Sequence, residues 1–219
     1  HDPVALAFAR RDDVAEISQR GPATPHHAVF TKRVPMLGRD VAAFVREYRV
    51  HLAAAPEGSA CPDAAPRVVL DSRWGLCAAG INAQAADATA EIYRHDLEII
   101  ARARALDDYQ ALPAEEILAA EIEYGGFEAK LRARQELSLL GEAVLVNRAA
   151  SPLGKAVVAE LLCRGAAVVG VDDTATTLPG NPAYLGLAGT LADNVASAVR
   201  RYGGVDAIVA IEDGEGLKT

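Results

Sequence analysis

The sequence lacks the patterns that would assign it to several common classes. Its only cysteines, Cys61, Cys77 and Cys163, are scattered through 219 residues with no C-x-x-C pair. That excludes a disulfide framework as the expected scaffold, and the odd count reads as reduced thiols in a cytoplasm. No stretch of about 18 uninterrupted apolar residues occurs, so no membrane span is expected, and no charged-then-apolar signal segment opens the chain. Positive charge is scarce as well. Twenty-two Lys and Arg stand against 30 Asp and Glu, a net charge of −8 with a pI near 5.1, which argues against a nucleic-acid surface. No His-x-His pair exists, and no tyrosine has a lysine four residues on.

What is present is a 51% hydrophobic chain, rich enough in alanine and glycine to pack helices closely on a sheet. One stretch organises it, from Glu142 to Asp173. An apolar run of strand length, Ala143 to Val146, meets a small-residue turn, Ala149 to Gly154. A segment of helical period follows, with Leu153, Val157, Val158, Leu161 and Leu162, and closes at Gly165. A second β-branched run, Val168, Val169 and Val171, ends in Asp172 and Asp173. Strand, turn, helix, strand, acid is the first βαβ unit of a doubly wound nucleotide-binding sheet, and the acids lie near the expected ~20 residues beyond the turn. The turn itself departs from that pattern. Gly154 stands at the last glycine position, while Arg148 and Pro152 occupy places where earlier glycines would let pyrophosphate approach the helix N-terminus.

The rest of the chain divides around this unit. Asp2 to Arg20 predicts one or two short helices. Gly21 to His27 predicts a breaker-rich loop, since Pro22 and Pro25 force extended backbone on the residues before them. Helical spacing begins after Asp40, a plausible cap, with Val41, Phe44, Val45, Tyr48 and Leu52. A loop over Ala54 to Pro66 and strands at Arg67 to Asp71 and Trp74 to Gly80 follow. The longest helix is expected from Asn82 to Leu106, with Tyr93, Leu97 and Ile100 on its apolar stripe. Another helix follows Pro113 through Ile117 and Leu118; Gly125 and Gly126 are expected to break it, and Phe127 to Leu139 to form a further piece. Beyond Gly141 the order is strictly β-α-β-β-α-β, with a helix from Leu191 to Tyr202 and a strand from Asp206 to Ile211. The expected domains are 1–137 and 142–219. The start at His1 and the closing segment Asp213 to Thr219, which follows a strand without a helix, suggest a piece of something longer.

The second part resembles the N-terminal half of a short-chain dehydrogenase/reductase. Asn147 to Gly154 occupies that family's Thr-Gly-x-x-x-Gly-x-Gly turn, matching at Gly154, and Arg200-Arg-Tyr-Gly-Gly-Val-Asp-Ala-Ile-Val resembles its fourth-helix-to-strand junction. Ala210-Ile-Glu-Asp213 departs from the family's Asn-Asn-Ala-Gly at every position. The first part carries Gly21-Pro-Ala-Thr-Pro-His-His, Thr31-Lys-Arg-Val-Pro, Arg67-Val-Val-Leu, Ile92-Tyr93 and Glu121-Ile-Glu-Tyr-Gly-Gly-Phe-Glu-Ala-Lys-Leu131. These resemble the later part of the aldolase domain in bifunctional proteins that fuse a class II, zinc-dependent aldolase to a short-chain dehydrogenase, typified by rhamnulose-1-phosphate aldolase/lactaldehyde dehydrogenase. The resemblance implies an α/β fold in two parts: the end of a class II aldolase-like domain, then a truncated Rossmann-type parallel sheet.

It also implies chemistry. NAD would lie at Ser151, Leu153, Gly154 and Asp172, with Asp172 on the ribose favouring NAD over NADP. A divalent metal such as zinc in the intact aldolase domain would involve His27. Trp74 stands where simple class II aldolases carry a histidine ligand, and the family's Tyr-x-x-x-Lys pair is missing, so no catalytic residue is assigned and no proton donor to a carbonyl is visible. A small sugar phosphate or hydroxy-aldehyde as substrate and a homo-oligomer are the implied partners. Lys32 and Arg33 are weighed between phosphate contact and solvated charge. Glu121, Glu123 and Glu128 are expected to form a solvated face, and His51 and His95 to lie on the surface. The alternative function is a non-catalytic structural or oligomerisation module on a cofactor-free scaffold.

Overall fold

The computed structural model describes residues 2–134, 137–178 and 180–212, the side chains of 126–134 excepted. They form two compact units, His1–Gly80 with Ala85–Gln135, and Ile81–Gln84 with Glu136–Thr219. Segment 213–219 lies outside the described residues.

In the first unit, α1 (Pro3–Ala9) starts where the Asp2 carboxylate accepts the Val4 and Ala5 N–H groups. After α2 (Val14–Ser18) comes a helix the sequence reading missed, α3 (Pro25–Thr31). Thr24 is extended and its hydroxyl accepts the His27 N–H, while Pro25 takes the first turn, where its missing N–H is no loss. The pair that looked like a loop marker is a helix start. Strand β1 (Met36–Leu37) leads to α4 (Val41–Leu52), capped by Asp40, whose carboxylate accepts the Ala43 N–H at 2.8 Å. Strands β2 (Val68–Asp71) and β3 (Gly75–Ala78) are an antiparallel hairpin, with β1 parallel to β2 on the other side. Helix α5 (Ala83–Leu106) buries Tyr93, Leu97 and Ile100 as its stripe predicts, against Phe8, Ile17, Val68 and Leu70.

Helix α6 (Ala114–Arg134) corrects the expectation of a break at Gly125-Gly126: it runs straight through. Glycine is needed there for space. A Cβ on Gly125 would stand 2.2 Å from the Ala60 carbonyl oxygen and 2.7 Å from the Pro62 nitrogen, so the 60–62 backbone crosses directly over the helix.

The second unit is a four-stranded sheet in the order β6-β5-β4-β7, every pair parallel. Its strands are β4 (Ala143–Asn147), β5 (Ala167–Val171), β6 (Tyr184–Leu187) and β7 (Ala207–Val209). This is the order of the first half of a doubly wound sheet, with its switch point between β4 and β7. Alternation along β4 and β5 builds a core on each face. Val144, Val146 and Val168 pack with Val158 of α7 (Pro152–Cys163), while Leu145 and Val169 pack with Ala198 of α8 (Leu191–Tyr202). Among the described residues no helix is long and apolar enough to cross a membrane.

Gly125→Ala isolates the close approach at α6. Alanine is favoured over glycine in a helix interior by about 1 kcal/mol, yet this substitution is expected to destabilise the first unit by about 1–3 kcal/mol through overpacking. Urea unfolding followed by fluorescence of Trp74, the one tryptophan and a member of that unit, checks it; a variant as stable as the parent contradicts the packing account.

Candidate functional site

The first unit carries a buried polar cluster around Glu121, which is 2% exposed. Its Oε1 accepts the Arg33 N–H at 2.7 Å and the Tyr48 hydroxyl at 2.9 Å, and its Oε2 meets His51 Nε2 at 2.6 Å. One carboxylate therefore joins the end of α3, two turns of α4 and the middle of α6. This corrects the expectation that Glu121 lies on a solvated face, and the expectation that His51 lies on the surface: its side chain is 9% exposed. The structure gives no comparable role to Glu123.

Lys32 is also buried, not solvated. Its ammonium donates to the carbonyl oxygens of Asp63 and Ala65, the latter at 2.6 Å, and stands 4.5 Å from the centre of the Tyr48 ring. Burial pulls it down to about 8, against the opposing charge of Asp63. Its backbone, at φ 65° and ψ 179°, lies in a region that glycine alone occupies readily. The same clustering pushes the Tyr48 hydroxyl up, first by burial and then by the Glu121 charge. Beside this cluster, a cavity of about 480 Å³ opens between α4 and the Arg33–Leu37 segment, with Tyr48 and His51 in its lining.

His27, the candidate metal residue, is buried at the start of α3. Its Nδ1 is 2.6 Å from the Thr24 hydroxyl and its Nε2 is 3.1 Å from His95 Nδ1, so both ring nitrogens already have partners. Burial, then the charges of His95 and His26, lowers its pKa. Among the described residues no three His, Cys, Asp or Glu side chains gather as a metal site. The described residues do not by themselves fit a divalent metal. Next to His95, Asp96 is 2% exposed, accepts the Ala23 N–H at 3.1 Å, and is pushed up to about 6 by burial.

In the second unit, Ser151, Leu153, Gly154 and Asp172 come together at the C-terminal ends of β4 and β5, the edge where a doubly wound sheet binds ligands. A Cβ on Gly154 would stand 2.1 Å from the Arg148 carbonyl oxygen, so this glycine lets α7 pack on the turn. The donors of the turn are turned inward. Ala149 N–H bonds the Val171 carbonyl at 3.2 Å, Ala150 N–H bonds Asp172 Oδ2 at 2.8 Å, and Ser151 N–H bonds the Arg148 carbonyl at 3.0 Å. The Ser151 hydroxyl accepts the Gly154 N–H at 3.0 Å. Pro152 contributes none. Arg148, where glycine was expected, has φ 50°. Asp172 is held below the usual carboxylate range by the Ala150 and Asp173 N–H groups and then by the Arg148 charge. At the switch point Asn147 bonds both the N–H and the carbonyl of Ile211, tying the end of β4 to the chain after β7. Residue spacing signalled Gly154 and Asp172, but nothing in it signalled the Asp172–Ala150 bond. The three cysteines are exposed and free.

The chain joins an α/β unit with a buried polar centre to a unit built on a four-stranded parallel sheet. A family model described as "Aldolase class II, second domain" matches residues 1–131, and the chain belongs to that family. An "Uncharacterized oxidoreductase YuxG" of Bacillus subtilis (strain 168) is 26% identical over 245 residues, covering 95% of this chain and 35% of that protein. The chain thus spans about a third of that relative's length. No solved structure gives a significant match.

Asp96 makes a pH prediction. An acid raised in the folded state contributes full stability below its unfolded pKa and loses it as pH rises through the folded value. Ionisation of Asp96 between its ordinary 3.8 and about 6 is therefore expected to lower stability by up to about 3 kcal/mol. Asp96→Asn keeps an acceptor for Ala23 and removes the charge. Urea unfolding by Trp74 fluorescence is expected to show the variant gaining on the parent as pH rises from about 3.5 to about 6.5, with the difference level above that; a difference independent of pH contradicts the buried-carboxylate account.

Proposed function

We propose that this chain comes from a bifunctional protein joining a class II aldolase to an NAD-dependent short-chain dehydrogenase, acting on a sugar phosphate or hydroxy-aldehyde. One observation carries the proposal: residues of the class II aldolase family run directly into a parallel half-sheet with Gly154 at the start of α7 and Asp172 after β5. The oxidoreductase name of the Bacillus subtilis relative, which matches along 95% of this chain, supports the same pairing. A sugar-type substrate follows from the aldolase family. In this proposal the nucleotide loop is degenerate, and the groups that move protons and hold metal lie outside these residues.

When bound, NAD would supply hydride transfer, and Ser151, Leu153, Gly154 and Asp172 are the residues that would hold it. The fit is incomplete. Asp172 and the Ser151 hydroxyl already occupy the Ala150 and Gly154 N–H groups, so a pyrophosphate must displace both caps, and Pro152 offers no donor. No hydride step is assigned to this chain. Those same caps favour a second reading, a cofactor-free scaffold that serves packing or assembly into a homo-oligomer.

Arg148→Gly combined with Pro152→Gly separates the two. Glycine adopts the φ of 50° at position 148 without strain and restores an N–H at 152. NAD affinity, measured by calorimetry, is expected to rise by at least about tenfold over the parent. Unchanged binding contradicts a latent cofactor site and supports the scaffold.

A further inference from the structure

We propose that the cleft between α4 and the Arg33–Leu37 segment is a binding site for a phosphorylated, polyhydroxylated small molecule. Arg33 takes its anionic end, while Glu47 and His51 take its hydroxyls. The ligand class rests on the sugar-phosphate proposal above; the location rests on the geometry that follows.

Helix α4 presents Asp40, Ala43, Phe44, Glu47, Tyr48 and His51 to the cleft, the i, i+3, i+4 set that shares one helical face. The volume of about 480 Å³ lies inside the range of small-molecule pockets, about 300–1,000 Å³. Such pockets combine an apolar wall with a few placed polar groups, and here Phe44 and Met36 supply apolar surface for the C–H face of a sugar ring.

Several polar groups around the cleft are already committed. Asp40 caps α4 through the Ala43 N–H, the Gln19 amide donates to the Pro35 carbonyl at 2.9 Å, and the Tyr48 hydroxyl donates to Glu121. Three remain for a ligand. Arg33 and Glu47 are exposed, and among the described residues neither side chain has a hydrogen bond or ion pair. His51 is fixed through Nε2 to Glu121, a carboxylate that accepts from three donors. With Nε2 engaged by Glu121, Nδ1 is the ring nitrogen left for a ligand hydroxyl. The anchored ring is thus preorganised, and ligand binding need not order it.

The charge pattern selects the ligand. A molecule with two anionic groups would meet Glu47 and Asp40 with like charge. A neutral sugar would make no use of the Arg33 charge, which is exposed at the cleft. One phosphate with several hydroxyls satisfies both: the guanidinium matches phosphate bidentately, and a carboxylate accepts hydroxyl donors.

Calorimetric titration of the full chain with fructose 1-phosphate, fructose and inorganic phosphate tests the site. The parent is expected to bind fructose 1-phosphate more tightly than either of the other two. Arg33→Ala is expected to weaken fructose 1-phosphate by at least about tenfold and leave fructose unchanged. Ala43→Leu, which fills the cleft from a helix position that tolerates leucine, is expected to abolish binding of both, with circular dichroism confirming the fold. If fructose 1-phosphate binds the parent and both variants equally, the cleft site is overturned while the substrate class stands. If it fails to bind the parent at millimolar concentration, the cleft site falls, while the sugar-phosphate proposal, which places its metal-holding and proton-moving groups outside these residues, stands.

Discussion

A single buried carboxylate sets the internal geometry of the first unit. Removing Glu121 from water costs several kcal/mol unless its oxygens are fully engaged, and three donors from distant segments engage them. Because those donors sit just after α3 and on two turns of α4, satisfying the carboxylate also fixes where the Arg33–Leu37 segment runs against α4. The cleft between them is a consequence of that constraint. Lys32 extends the same network. Its ammonium, tethered to the 63–65 backbone, holds the chain where α3 ends, and its left-handed backbone turns the chain sharply toward Arg33. A strained, buried lysine beside a buried acid is the kind of local expense that persists only where the surrounding structure over-determines it.

The second unit obeys a different constraint. A turn between a parallel strand and its helix must satisfy several N–H groups, and in nucleotide-binding sheets a pyrophosphate takes some of them. Here the protein takes them itself, through Asp172, Ser151 and backbone carbonyls. The architecture therefore does not depend on a ligand for its stability. The sheet order, the two-faced core and the packing of α7 at Gly154 persist although the glycine-rich turn has been replaced.

The sequence showed the second unit well because buried parallel strands read as continuous apolar runs. The helix expected from Leu191 to Tyr202 is α8 at those bounds, capped by the Thr190 hydroxyl and ended at Gly203, whose φ is 89°. The sequence also showed the α5 stripe and the Asp40 cap, which are local signals. What it concealed was long-range. Glu121 sits among Glu123 and Glu128 like any solvated glutamate, and its partners Tyr48 and His51 lie 73 and 70 residues away. Gly125 has the same letter whether it breaks a helix or admits a crossing chain, and only the Ala60–Pro62 backbone decides between them. Thr24-Pro25 carries the chemistry of a helix start, but within the Gly21 to His27 run of breakers it reads as loop. The inward turn of Asp172 follows from side-chain geometry that spacing alone does not specify.

The most direct measurement is the unfolding free energy of Glu121→Ala in urea, followed by Trp74 fluorescence. Leaving Tyr48, His51 and the Arg33 N–H without their shared acceptor is expected to remove about 3–5 kcal/mol from the first unit. A loss below about 1 kcal/mol, within the range of an ordinary surface substitution, would contradict the claim that this carboxylate holds the segments around the cleft together.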